Sequence, residues 1–391
     1  MTGPLSGLRI VELAGIGPGP FCGMLLADFG ADVIRVERPD AEFDLGNVAT
    51  RGRRSIAVDL KTPEGAAVVR RLLEDADGLI EGFRPGVTER LGLGPDECLA
   101  LNPRLVYGRM TGWGQTGPLA ATAGHDIDYI AIAGVLHPMG DPDRPPTPPL
   151  NLVGDYGGGA MFLAFGMVSA MLHARTTGEG QVVDAAMTEG AALLAALCYG
   201  GLASGIWHNE RGVNILDGSA PFYGVYACSD GEFFAIGAAE PHFSDQLLRL
   251  LDLRDEDGIW EAWYRREEWP RLRRRVAEVM ATRTRAQWTE IFDGTDACAV
   301  PVLSMHEATR HPHNIARQTF VDVGGVVQPA PAPRLSRTPG EVTRAPVHPG
   351  ADTVEVLRQC GYPEAEIDRL IGSGAVGGAR VASPDTSPGR R

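Results

Sequence analysis

Two short stretches about thirty residues apart carry side chains suited to moving a proton. They are Gly124-His125-Asp126-Ile127-Asp128-Tyr129 and Asn151-Leu152-Val153-Gly154-Asp155-Tyr156-Gly157-Gly158-Gly159. Each is a polar or glycine-rich turn that runs into an apolar segment. After His125, the residues Ile127, Ile130, Ala131, Gly134 and Val135 fall at i, i+3, i+4, i+7 and i+8, the spacing of one helix face. After Asp155, Met161 to His173 is apolar almost throughout, as a buried helix would be. His125 and Asp155 are therefore expected where helices begin, beside unpaired N–H groups and the positive end of a dipole. An imidazole placed there loses its proton more readily, and a developing anion is stabilised.

This is the layout for proton transfer at carbon. A group next to a carbonyl loses its α-proton when a base is aimed at it and N–H donors hold the enolate oxygen. Two acid–base groups on opposite sides of one carbon can take the proton from one face and return it on the other. His125 and Asp155 are the candidates. Asp155 equally suits a helix N-cap. Glu240, in Ala-Ala-Glu-Pro-His, lies between a strand and a helix. It suits either a first-turn carboxylate complementing the dipole or a carboxylate that orients the imidazole.

Arg38, Arg51, Arg53, Arg54, Lys61, Arg84 and Arg90 form a basic excess within an acidic chain. Several fall at strand ends or in βα turns, where ligands of open α/β sheets bind, which favours a phosphate-rich ligand. His306, His311 and His313 make no metal-binding spacing.

The elements that must position these residues alternate. Leu8 to Leu13 reads as a strand, Pro20 to Phe29 as a helix stopped by Gly30, and Ala31 to Glu37 as a second strand. This βαβ opening implies a parallel sheet. Its turn, Gly15-Ile-Gly-Pro-Gly-Pro20, has GxGxG spacing with proline at the third fingerprint position. It reads as a structural turn better than as a dinucleotide site with Glu37 on the ribose. Strands at 55–59, 79–83, 105–110 and 181–187 continue the pattern, with helices at 62–75, 85–91 and 189–203 between and after them. The fold class is α/β, a large domain built on a parallel sheet followed by a smaller α+β domain. Composition divides the chain into 1–205, a linker at 206–222, a small domain at 223–303, a return arm at 304–350 and a C-terminal segment at 351–391. The small domain opens with a hairpin, Tyr223 to Cys228 and Glu232 to Gly237, around Ser-Asp-Gly. Helices at 241–251, 269–281 and 285–293 and a strand from Ala299 to Leu303 complete it. The proline-rich stretch 318–350 reads as an extended arm, and 373–391 as a disordered tail.

The 391 residues are 44% hydrophobic and 22% charged, ordinary for a soluble enzyme. A net charge of −14 argues against non-specific nucleic-acid binding, but not against an anionic small ligand held by local arginines. The six cysteines lie far apart with no CxxC, which suits a reducing compartment and offers no zinc or disulfide framework. No signal peptide is expected, and the apolar runs at 160–172 and 191–203 are too short to cross a bilayer. A cytoplasmic protein with no membrane partner is expected.

Beyond these readings, the chain resembles the family III CoA-transferase and α-methylacyl-CoA racemase superfamily, and within it the bacterial racemases. The resemblance runs from Gly3 to about residue 340. It rests on Glu12-Leu-Ala-Gly-Ile-Gly-Pro-Gly-Pro, Leu26-Ala-Asp-Phe-Gly-Ala-Asp-Val-Ile-Arg-Val-Glu-Arg-Pro39 and Glu81-Gly-Phe-Arg-Pro-Gly-Val. Further on it rests on Met110-Thr-Gly-Trp-Gly-Gln-Thr-Gly-Pro, the two motifs above, and Gly180-Gln-Val-Val-Asp-Ala-Ala-Met. It implies a Rossmann-like large domain, a small α+β domain and an interlocked homodimer with the active site at the subunit interface. It implies CoA carried as part of the substrate, with no metal and no redox cofactor. His125 and Asp155 would be the acid–base pair, and Glu240 would support His125 from the partner subunit. Arg38, Val58, Asp59, Leu60, Lys61, Gly82, Phe83, Arg84, Arg90, Gly124, Asp126, Ile127, Asp128 and Tyr129 would hold the acyl-CoA. Val58 stands where alanine is more usual, a change that a backbone contact tolerates. The activity implied is interconversion of (2R)- and (2S)-2-methylacyl-CoA through an enolate. The alternative is a CoA-transferase with Asp155 as nucleophile. A non-catalytic acyl-CoA binder is the third reading, and turnover separates it from the other two.

Overall fold

The computed structural model describes residues 3–377. Strands β1 (Arg9–Leu13), β2 (Asp32–Glu37), β3 (Arg54–Val58), β4 (Gly78–Glu81), β5 (Val106–Thr111) and β6 (Gln181–Ala186) come first in the chain. β7 (Tyr223–Ala227), β8 (Phe233–Gly237) and β9 (Ala299–Pro301) follow, then β10 (Phe320–Val323), β11 (Val326–Pro329) and β12 (Val376–Gly377). The central sheet has seven strands in the order β12-β3-β2-β1-β4-β5-β6. Every pairing in it is parallel except β12 against β3. The order 3-2-1-4-5-6 is that of a doubly wound sheet, which opens a crevice where the connections from β1 and β4 part.

Successive strand residues point to opposite faces, and here both faces are buried. Val11 and Ile34 pack on one side with Val68, Val69, Leu72, Val356 and Leu370. Ile10 and Val33 pack on the other with Cys22, Leu26, Leu163, Met167 and Met171. The near-continuous apolar strands in the sequence are the consequence. The chain forms two compact units. The first takes in residues 1–129, 151–193 and 318–391, and the second takes in 130–150 and 194–317. In the second, β7, β8 and β9 make an antiparallel sheet under Trp263, Trp269, Trp288, Phe222 and Phe234.

Several elements differ from the sequence reading. The helix after His125 covers only Asp126–Ile132. It buries Asp126, Tyr129 and Ile130 and leaves Ile127 45% exposed. The expected face is therefore rotated, because Asp126 and Tyr129 find polar partners inside. Asp155 is not an N-cap. It lies in the first turn of a wide, π-type helical run, Leu152–Ala160, that continues into the helix Met161–Thr177. A Cβ on Gly158 would sit 2.6 Å from the Ala191 nitrogen, and one on Gly159 2.8 Å from Met187 Cγ. The glycines let this run press against the helix Met187–Leu194.

The helix Met161–Thr177 is not buried all round: Leu163 and Met167 are fully buried, while Phe165 is 73% and Leu172 66% exposed. The combined run Leu152–Thr177 has 26 residues and is long and apolar enough to cross a membrane, longer than the sequence reading allowed. Its buried face instead packs on the central sheet. The expected helix over 189–203 is two, Met187–Leu194 and Ala196–Ser204, and the second buries no residue.

Residues 206–222, read as a linker, are folded: Asp217 Oδ2 accepts the N–H groups of Gly212, Val213 and Asn214 at 2.9–3.0 Å. The proline-rich arm contains the hairpin β10–β11. Residues 375 and 376 are buried, with β12 paired to β3, so the ordered chain runs further than the sequence suggested. The rest of the expected tail, residues 378–391, lies outside the described residues.

Candidate active site

The crevice at the carboxyl ends of β1, β4, β5 and β6 is a cavity of about 700 Å³. Its walls come from the turn Gly15–Pro20, from Gly82 to Pro85, from Met110 to Trp113 and from Met187. Gly124, His125, Tyr129, Asn151 and Asp155 complete the lining. The sheet thus brings His125 and Asp155, distant in sequence, to one cavity.

His125 is held at the head of its short helix. Its N–H donates to Asp128 Oδ2 at 2.9 Å, and its carbonyl accepts from the Asp128 and Tyr129 N–H groups. The N–H groups of the first helical residues, Asp126 and Ile127, have no carbonyl behind them within the helix. Tyr129 is wedged beneath. Its hydroxyl donates to the Gly124 carbonyl, and its ring meets Trp113 edge-on at 4.8 Å. Gly112 leaves room for that ring, since a Cβ there would collide with it.

Asp155 receives the Asn151 Nδ2–H at 3.2 Å on Oδ2, and the Asp155 N–H donates to Asp126 Oδ2 at 2.7 Å. The Asp155 carboxyl is pushed above the usual carboxylate range, first by desolvation and then by the neighbouring Asp126 charge. The Asn151 hydrogen bond and His125 act in the opposite sense. A carboxyl group displaced in this direction is better able to serve as a proton donor nearer neutral pH. Burial, and after it Asp155, also raise the Tyr129 phenol.

A second cavity, of about 550 Å³, opens at the carboxyl ends of β1, β2 and β3 and shares Gly15, Ile16 and Phe83 with the first. Arg38, Val58, Asp59, Leu60 and Lys61 line it. Of the other candidates, Gly82, Arg84, Gly124 and Tyr129 line the larger cavity. Arg90, Asp126, Ile127 and Asp128 line neither. Glu240 lies in the second unit, exposed at the N-cap of the helix Pro241–Leu250.

The basic cluster divides. Arg51 pairs with Asp28 at 2.6 Å, Arg53 with Glu12, and Arg54 with Asp32 at 2.5 Å. Arg38, Lys61 and Arg84 remain at the cavities. Glu37, the residue a dinucleotide reading would need, is bonded to Ser55 and paired with Arg35.

The first turn, read from sequence as structural, lines both cavities. Asn151, Trp113, Tyr156 and Met187 are further lining residues that residue-type reasoning did not single out. Asn151 alone carried a usable signal, because it precedes Asp155 by four residues on a helical run.

Comparison with known proteins places this geometry. The CoA-transferase family III model matches residues 5–353. The chain is 47% identical to the α-methylacyl-CoA racemase of Mus musculus, covering 94% of this chain and 98% of that protein. It is 44% identical to the Homo sapiens racemase, covering 94% and 96%. It is also 36% identical to a succinyl-CoA–D-citramalate CoA-transferase of Chloroflexus aurantiacus, covering 87% and 89%. A CAIB/BAIF family protein from Brucella suis superposes with a TM-score of 0.80 at 28% identity, covering 92% of this chain and 100% of that one. The chain belongs to CoA-transferase family III.

Proposed function

We propose that the protein is an α-methylacyl-CoA racemase that interconverts (2R)- and (2S)-2-methylacyl-CoA by removing and returning the α-proton. The observation that carries this reading is that His125 and Asp155 line one cavity, with burial raising the Asp155 carboxyl above the usual carboxylate range. The relatives that bear the racemase name over nearly the whole chain support it. In this reading His125 takes the α-proton from one epimer while Asp155 delivers one to the other face, and the roles reverse for the other epimer. The N–H groups that open the helix at Asp126 hold the thioester oxygen as it gains enolate character. The cavity around Arg38, Lys61 and Val58 to Leu60 takes the nucleotide end of the acyl-CoA, and Arg84 and Arg90 attend its phosphates. CoA enters and leaves as part of the substrate, and no metal or redox cofactor is needed.

The protein works as a homodimer whose partner covers the exposed apolar row of Met161, Phe165, Val168 and Leu172. Glu240 of one subunit supports His125 of the other. The free cysteines fit a cytoplasmic location.

The Asp155 carboxyl group could also attack a thioester as the nucleophile of a CoA-transferase, as family membership allows. That reading leaves His125 without a task. The test is incubation of the purified protein with (2R)-2-methylacyl-CoA and no carboxylic acid acceptor, followed by chiral separation. Formation of the 2S epimer is expected. An unchanged epimer, with CoA moving once succinate is added, would establish the transferase instead.

A further inference from the structure

Asp126 stands in the middle of the first motif, and the family resemblance counts it among the residues that hold the substrate. Its carboxyl group is engaged elsewhere. The residue is 6% exposed and lines neither cavity. Its Oδ2 accepts the Asp155 N–H at 2.7 Å. Its Oδ1 is buried without a hydrogen-bond partner among the described residues. A Cβ on Gly154 would lie 2.6 Å from Asp126 Oδ2 and 3.2 Å from the Asp126 carbonyl oxygen. The residue before Asp155 therefore has no room for a side chain. One carboxylate joins the two stretches that carry the acid–base pair. An unpaired buried polar atom is an unfavourable feature that a fold ordinarily avoids.

We propose that Asp126 is a positioning residue for Asp155. Its buried carboxylate fixes the Asp155 main chain at the cavity wall and keeps a negative charge beside the Asp155 carboxyl group. The inference rests on the proton-transfer reading of Asp155. The groups that face Asp155 are Asn151 on its own run and His125, Asp126 and the Tyr129 hydroxyl from the other stretch, with Asp128 and Arg84 acting on Tyr129. Among them Asp126 favours the protonated acid, while Asn151 and His125 favour the carboxylate. A like charge makes a carboxyl group hold its proton harder. A proton donor needs that, whereas a nucleophile needs the reverse.

The test is Asp126→Asn, which keeps an oxygen acceptor for the Asp155 N–H and removes the charge. The Asp155 titration midpoint, read from its carboxyl 13C shift and assigned with Asp155→Asn, is expected to fall by about one unit. The Asp155-dependent limb of the kcat/KM profile moves with it, and KM for acyl-CoA stays within about twofold of the parent, since no substrate contact is lost. A fixed midpoint with a raised KM would make Asp126 a substrate contact. A fixed midpoint with unchanged KM would reduce it to packing. Either result overturns the proposal. Should Asp126→Asn not fold, Gly154→Ala strains the same contact from the other side, with a kcat loss of about tenfold expected. An unchanged kcat in that variant would also count against the proposal. Because the midpoint is measured without substrate, it stands whether or not the parent protein epimerises, so a failed epimerisation assay removes the racemase reading alone.

Discussion

The wall formed by residues 124–129 and 151–159 and the arginine-rich segment 51–54 both place ionisable groups inside the same unit. They differ in how charge is matched. Arg51, Arg53 and Arg54 each face an acid, and Arg51 also donates to Gln328 Oε1 and the Pro329 carbonyl. At the wall, neither Asp126 nor Asp155 forms an ion pair with a described residue, and the Asp155 carboxyl has one amide partner. Residue type alone makes both regions look chemical. Matched charge marks the segment that holds the fold together, and unmatched charge marks the place where a proton can change hands.

The comparison breaks first at the wall. His125→Ala and Asp155→Ala should each lower the rate of epimerisation by about 10³-fold, the scale of a lost general acid or base, while CoA affinity is retained. Isothermal titration with CoA beside the chiral assay checks both halves, and retained turnover would defeat the pairing. The arginine segment should respond in stability instead. Arg53→Ala leaves the buried Glu12 carboxylate with Arg35 alone, at 3.8 Å, and should cost about 3 kcal/mol, the lower end for a broken buried pair, read from denaturant midpoints. A variant as stable as the parent would show that this pair does not hold the fold.

Smaller effects sharpen the contrast. Lys61→Ala should raise KM a fewfold with kcat unchanged, because an exposed lysine at the second cavity contributes about 1 kcal/mol or less. A fall in kcat would place Lys61 in the chemistry. The smallest effect concerns pH. The folded Asp155 binds its proton more tightly than the unfolded chain does. Its contribution to stability is therefore fully present below the ordinary carboxylate pKa and is lost as pH rises through the raised folded value. Asp155→Asn should accordingly melt slightly above the parent at neutral pH, and the gap should close as pH falls towards 4. A gap that widens in acid would reverse the sign of the Asp155 displacement.

The sequence made the βα alternation and the parallel sheet readable, because strands buried on both faces are apolar at every position. Polar turns before apolar runs set His125 and Asp155 apart in the sequence, and the fold brings both to one cavity. The wide helical run through Asp155 was not readable, since the close approach of Gly158 to Gly190 and Ala191 is set by packing that spacing does not encode. The rotated face of the helix Asp126–Ile132 was hidden too. Asp126 scores as polar in any pattern, yet it is buried because its partner lies twenty-nine residues away. The separation of the buried arginine pairs from the arginines left at the cavities could be seen only once Asp28, Asp32 and Glu12 were placed beside them.

The most direct test of the central claim follows the α-hydrogen itself. The protein is incubated with either epimer of 2-methylacyl-CoA in D2O, with no acid acceptor, and carbon 2 is watched by NMR. The account predicts that every molecule of inverted product carries deuterium at that carbon, and that His125→Ala and Asp155→Ala slow inversion by about 10³-fold. Transfer of CoA to an added acid with no deuterium uptake would contradict it and assign Asp155 to nucleophilic attack.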